Sequence, residues 1–398
     1  MLTHRFELSN FAQNNHFYNK KSPTLLDSEY FKMLAVESLK QTVMKKTLYF
    51  WQSTLFLNFL VFLPFIGIAS VETPSEKVAY ENINTIFQTL AAYEKLEITT
   101  NLDSLILNKR SGKQQAALLR ISGDKQKTRQ IKIKIKARGR FRKRVCDLPP
   151  IRLNFSKKTL ASMELHEAYD KLKLVTHCLE AANSEQALLK EYWTYCMYNQ
   201  LTPNSFKVKL FEVTYIQADN PSRKIQSYAF IIENTKEMAH RLGGQLVDAY
   251  GMTTDQITPS SYHNALLFNY MIGNTDWHLA VQRNLKLVKL PEQTSLLLVP
   301  YDFDYAKLVD ASYMPVEAYK GVVQLDNRHA KGYFSNKQAL EKVIAQFKSL
   351  QKSGFRCYKT CDVLKKKEKA RMDIFIKSFY RLLKDEERMA DTFLASVD

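Results

Sequence analysis

An α+β fold is predicted, rich in strands in its first half and mainly helical in its second. Three observations carry this reading. Between residues 95 and 176, short runs alternate apolar and polar side chains, the period of a half-buried strand. The C-terminal segments "NKQALEKVIAQFKSL" and "KARMDIFIKSFYRLLKDEERMADTFL" read as helices. Between these regions an apolar segment stops at Gly273–Asn274–Thr275–Asp276 and gives way to a strand pair. The 398 residues, 45% of them hydrophobic, supply a core for one large domain or two lobes. No internal repeat is visible.

The elements follow in order. "MKKTLYFWQSTLFLNFLVFLPFIGIAS", from Met44, has a positive start, an apolar run and small residues at its end. It reads as a signal peptide cut near Ala69 or Ser70, or as an uncleaved membrane anchor, with residues 1–43 an upstream extension or mis-start. Residues 71–234 form a β-rich region and 235–398 a helical one. Glu76–Tyr93 reads as a short helix or linker. "KLEITTNL", "AALLRIS", "RQIKIKIKARG", "PPIRLNF" and "KLKLVTH" are strands; in Ile131–Ile135 the isoleucines face one way and Lys132 and Lys134 the other. Asn183 or Ser184 caps the helix "SEQALLKEYWTYCMYNQL". Its stripe is Leu188, Leu189, Tyr192 and Cys196, with Glu191 beside it. "SFKVKLFEVTYI" and "SYAFIIEN" form a hairpin, and a helix from Lys236 stops at Gly243–Gly244. "NLKLVKL" and "SLLLVP" form another hairpin, which ends in "YDFDYAKL".

The formal net charge is +18, which suggests an anionic partner or a solvated basic surface. "RQIKIKIKARGRFRKR" is basic, yet no nucleic-acid-binding module surrounds it, so no specific nucleic acid is expected. Five cysteines show no zinc-finger spacing. In an oxidising compartment Cys146 and Cys178, both on or beside strands, are a plausible pair; Cys357 and Cys361 are another, and Cys196 reads as a small core residue.

One ordered set of residues carries chemistry. A helix bearing Glu191 is followed by strands, helices, Asp276 and Asn284, a hairpin, and "DFD" at 302–304. Phosphoryl transfer needs an Asp at the acceptor hydroxyl, an Asn and a second Asp around a metal, and a Lys on the phosphates. "GNTDWH…N" followed by "PYDFD" resembles the atypical kinases of the spore-coat protein H (CotH) type, in a branch of exported bacterial proteins. The GN-x-D-x-H core is also similar to that of HipA-type kinases. Upstream, "RGRFRKRVCDLPPIRLNF", "KLKLVTHC" and "LLKEYWTYCMYNQLTPNSFKVKLFEVTYI" resemble the CotH-type small lobe, so the resemblance runs from Leu96 to Gly332.

The resemblance implies a two-lobed atypical protein kinase-like fold, with a β-rich small lobe and a mainly helical large lobe. It makes Asp276 the catalytic-loop Asp and gives Mg²⁺ or Mn²⁺ to Asn284 and Asp302, with Asp304 sharing. Lys173 would contact the phosphates of ATP and pair with Glu191, Lys171 being the alternative. Arg138 and Arg140 would stand in for a glycine-rich loop, and the Ile232–Glu233 backbone would meet adenine. His278 reads as a structural loop residue and Trp277 as packing. The sequence departs from ordinary kinases: no G-x-G-x-x-G is present, Asn284 comes eight residues after Asp276, and "DFD" replaces "DFG". Two functions stand on this reading. One is phosphoryl transfer from ATP to a hydroxyl on a protein or envelope polymer, in the periplasm or cell envelope. The other is an inactive pseudokinase that serves as an envelope binding module, touching membrane only through an uncleaved N-terminal segment.

Overall fold

The computed structural model describes residues 83–394, apart from 125, 180–182 and 315–327. The extension at 1–43 and the export or anchor segment at 44–70 lie outside the described residues. Among the described residues no helix is long and apolar enough to cross a membrane.

The alternating runs become a closed barrel. Its strands are β1 (Lys95–Thr100), β2 (Gln115–Gly123), β3 (Gln126–Ala137), β4 (Ile151–Phe155), β5 (Lys171–Thr176), β6 (Val208–Gln217) and β7 (Asn220–Ile232). They pair in the order β1-β2-β3-β4-β5-β7-β6, and a parallel pairing of β6 with β1 closes the ring. Register puts inward residues opposite inward residues. Ile98 faces Leu119, Ala117 faces Ile133, Ile135 faces Leu153, and Leu153 faces Leu172. Beyond them Leu174 faces Ile231, Phe211 faces Ala229, and Val213 faces Leu96. All of these are buried in one cluster, since a one-residue slip would turn the apolar set outward. Three short helices add Ile86, Phe87 and Leu90 (α1, Ile86–Ala91), Leu102 and Leu105 (α2, Leu102–Leu107) and, further along, Leu160. In α1 a capping box between Thr85 and Gln88 sets the helix start.

A second core lies against the outer face of β5 and β7. Val175, Phe230 and Ile232 belong to it, while their strand neighbours Leu174, Ala229 and Ile231 belong to the barrel. Helix α3 (Arg142–Val145) links β3 to β4, and α4 (Lys157–Ser162) follows β4. Helix α5 (Ser184–Leu201) runs through the second core and is buried on most sides, Lys190, Glu191 and Thr194 included. The expected stripe holds only in part: Leu188 and Leu189 are buried in this core, while Tyr192 and Cys196 are half-buried. After α6 (Thr235–Arg241), the chain adds an unexpected strand, β8 (Gln245–Val247). It pairs with the hairpin β9 (Leu285–Lys289) and β10 (Leu296–Pro300) in a sheet of order β10-β9-β8. Gly244 permits this approach, because a Cβ there would stand 2.5 Å from the Lys289 carbonyl. Helices α7 (Pro259–Ile272), α8 (Lys337–Leu350), α9 (Lys366–Leu382) and α10 (Glu386–Phe393) complete the second core.

The two-lobed kinase-like expectation is corrected by this architecture. The strands close into a seven-stranded barrel with helices mixed among them, and a further sheet lies in the C-terminal half. The described residues all fall within one compact unit. Two lobes would need a boundary that few contacts cross, whereas β5 and β7 are packed on both faces.

Cys146 and Cys178 are joined in a disulfide. Cys357 and Cys361 are not paired.

Candidate active site

Helix α7 ends where Gly273 takes a left-handed conformation, φ 66°. A Cβ there would press on the Lys307 side chain at 3.0 Å and on Phe375 at 3.1 Å. The next residue, Asn274, is buried and organises the loop. Its Nδ2 donates to Asn269 Oδ1 at 2.8 Å, and its Oδ1 accepts from the Asp276 backbone N–H at 3.0 Å. Trp277 is buried beneath, as packing; the His278 side chain is exposed, and its backbone pairs with that of Arg283. The helix thus stops so that Asp276 can emerge, half-exposed.

Asn284 closes the loop. Its φ of 53° is a left-handed value that Asn tolerates better than most residues. Its Nδ2 donates to the Asp276 carbonyl at 2.6 Å and to Asp276 Oδ2 at 2.8 Å, so its Oδ1 is not the atom turned to Asp276. Strands β9 and β10 then carry the chain out and back. The Tyr301 N–H donates to the Asn284 carbonyl at 3.0 Å, which places Asp302 next to Asn284 at the open end of the hairpin. Asp302 also has positive φ, 65°, and its N–H donates to the buried Tyr195 hydroxyl at 2.8 Å. Phe303 anchors the turn among Tyr195 and Phe268.

These residues share a cavity of about 720 Å³ whose lining includes Asp276, Asn284, Asp302 and Asp304. Arg138, Arg140, Arg142 and Arg283 also line it and supply opposite charge. The "RGR" turn is held through the Arg138 N–H, which donates to the Pro150 carbonyl at 2.8 Å.

Arg142 is the residue that sequence reasoning missed. Its Nη2 donates to Glu191 Oε2 at 3.2 Å, its Nε lies 3.4 Å from Asp304 Oδ2, and both nitrogens bond the Tyr313 hydroxyl. Burial pushes Glu191 up to about 8, against the pull of Arg142. Burial, then Asp302, pushes Asp304 up to about 7. One guanidinium faces two buried carboxylates, and burial favours their protonated forms against its pull. The buried Glu191 Oε1 has no hydrogen-bond partner among the described residues. Nothing in "RGRFRKR" singles out Arg142 from its basic neighbours.

The other expected residues lie elsewhere. Lys173 does not hold Glu191, which Arg142 has taken. The ammonium sits half-buried over the rings of Tyr301 (4.8 Å) and Phe206 (5.7 Å), and burial, then Arg138, lowers its pKa to about 7. Lys171 is exposed and paired with Asp170 at 3.1 Å. Ile232 is spent in the barrel ladder between Lys173 and Val208. The Glu233 N–H donates to the Lys207 carbonyl, and its carboxylate is bound by Arg241 and by the Lys207 N–H. Neither Ile232 nor Glu233 lines the cavity.

No protein-family model matches the chain, and no curated protein matches it. Among solved structures it is similar to the crystal structure of the Helicobacter pylori proinflammatory kinase CtkA. That likeness covers 64% of this chain and 95% of that one, at 10% identity and a TM-score of 0.36. It is too distant to transfer a role to any residue here.

The donor chemistry suits a hard divalent cation. Asp302, Asp304 and the Asn284 Oδ1 offer oxygen donors, and Mg²⁺ is commonly held by one or two carboxylates together with substrate phosphates. Among the described residues no group of three or more His, Cys, Asp and Glu residues is placed to hold a metal by itself, so phosphate would have to complete the shell.

Proposed function

We propose that this chain is a phosphotransferase that moves a phosphoryl group from a nucleoside triphosphate such as ATP to a hydroxyl acceptor, with Mg²⁺ or Mn²⁺. One observation carries the reading: Asp276, Asn284, Asp302 and Asp304 line the same cavity as four arginines. Little covalent chemistry is asked of a protein in this reaction; positioning and charge do most of it. Asp276 orients the acceptor hydroxyl and takes its proton as the acceptor oxygen bonds the γ-phosphorus. The bond from γ-phosphorus to the bridging oxygen breaks, and the nucleoside diphosphate leaves. Asn284 holds Asp276 through its Nδ2. Arg138, Arg140 and Arg283 offer cationic donors to phosphate oxygens. Asn284, Asp302 and Asp304 would hold the metal, which neutralises phosphate charge when bound.

The disulfide between Cys146 and Cys178 supports an oxidising setting, in line with an exported protein of the periplasm or cell envelope whose acceptor is a protein or an envelope polymer. A second reading, an inactive binding module, is favoured by the hub in which Arg142 already engages Glu191 and Asp304. Transfer of γ-label from ATP to a generic protein acceptor, with Mg²⁺ and Mn²⁺, separates them. The full chain should transfer label, and Asp276→Ala and Asp302→Ala, folded by circular dichroism, should lose at least about 100-fold. A folded native chain that binds neither nucleotide nor metal would leave the binding-module reading.

A further inference from the structure

The phosphotransferase reading leaves open how the donor is recognised, and the geometry answers against a base-reading slot. The backbone expected to meet adenine is committed: Ile232 is laddered on both sides, and the Glu233 N–H donates to Lys207. The way to it from the carboxylates is filled. Tyr301 directly precedes Asp302, and Phe206 directly precedes Lys207. Their rings pack at 5.6 Å with the Lys173 ammonium over both. Phe206 is fully buried.

The cavity has another apolar surface. Tyr250 is 81% exposed and Val281 50% exposed, and both line it. An exposed ring at a cavity rim is open to a planar ligand. The loop that carries Tyr250 is pinned to the catalytic loop. Gln282 Nε2 donates to the Val247 and Ala249 carbonyls at 3.2 and 2.7 Å, and the Gly251 N–H donates to the Ala280 carbonyl at 2.7 Å. Tyr250 thus offers an open ring, on a loop pinned at its backbone, as a platform beside the arginine-lined pocket.

Resting on the phosphotransferase reading, we infer that the site recognises its donor by the triphosphate and leaves the base unread, the base lying flat on the Tyr250–Val281 lip. Stacking tolerates any base, because every base presents a π-face, whereas discrimination needs hydrogen bonds to base edges. The arginines bind the phosphates, and the ring only adds affinity.

The test measures dissociation constants of the full chain with Mg²⁺ for ATP, GTP, CTP, UTP and inorganic tripolyphosphate, by calorimetry. The four nucleotides should agree within about fivefold. Tyr250→Ala should weaken all four by about fivefold or more and leave tripolyphosphate unchanged. Arg140→Ala should weaken all five. ATP binding more than about 30-fold tighter than CTP and UTP would overturn the inference while leaving phosphoryl transfer standing. Equal nucleotide affinities that ignore Tyr250→Ala would overturn the platform. Failure of all five compounds to bind a folded chain would remove the phosphotransferase reading itself.

Discussion

Glu237 lies on α6 with 6% of its surface exposed. Its Oε1 accepts from the Thr85 hydroxyl at 2.5 Å, and its Oε2 is buried with no hydrogen-bond partner among the described residues. Burial raises its pKa from the ordinary 4.5 to about 7; Glu233 pushes the same way, while Thr85, the Asn234 backbone and Arg241 oppose. The folded state therefore binds this proton more tightly than the unfolded one. Stability present below about pH 4.5 is lost as pH rises through about 7, and the loss approaches ~3 kcal/mol. Urea unfolding of the native chain and Glu237→Gln at pH 5 and pH 8 checks this. The variant should be more stable than the native chain at pH 8 and flatter across the window. Equal slopes for the two proteins would remove the assignment. Asp276, Asn284 and Asp302 were legible in the sequence because helix stop, loop and hairpin are local events set by neighbouring residues. Arg142 was not, because its partners Glu191, Asp304 and Tyr313 come from distant parts of the chain.

At the level of elements, the disulfide between Cys146 and Cys178 ties the end of α3 to the exit of β5. Neighbouring bonds repeat the connection. The Asp147 N–H donates to the Cys178 carbonyl at 2.8 Å, and the Thr176 hydroxyl donates to the Leu148 carbonyl at 3.0 Å. Ser184, at the start of α5, accepts from the Cys178 N–H at 2.9 Å. The bridge thus fixes Arg142 relative to the helix that carries Glu191. With its ends 32 positions apart, it stabilises by about 4 kcal/mol in the chain-entropy picture. The Cys146→Ser, Cys178→Ser double variant should lose roughly that much in urea and transfer label more slowly. A midpoint unchanged to within about 0.5 kcal/mol would mean the backbone bonds alone hold the link. The strands themselves were readable, since Ile131, Ile133 and Ile135 alternate with lysines as a half-buried strand must. Helix α5 was readable as a helix but its packing face only in part, because a helix buried on most sides has no single apolar stripe to display.

Barrel closure is a property of the whole molecule and had no local signal. It rests on Lys95–Thr100 pairing in parallel with Glu212–Gln217, and alternation names the inward face of each strand without naming its neighbour. Closure also decides how the molecule should unfold. Leu174, Ala229 and Ile231 point into the barrel, while Val175, Phe230 and Ile232 on the same strands point into the helical core. Neither core can melt without stripping one face of β5 and β7 from its support. The described fold should therefore unfold in one cooperative transition, with the calorimetric enthalpy equal to the van't Hoff value. Leu153→Ala, deep in the barrel, should cost about 2–5 kcal/mol, and Phe230→Ala, on the helical side, about 3–5 kcal/mol. Each should move that single transition as a whole. Two separable transitions, with Leu153→Ala lowering only one, would restore two independently stable lobes and overturn the shared-strand account.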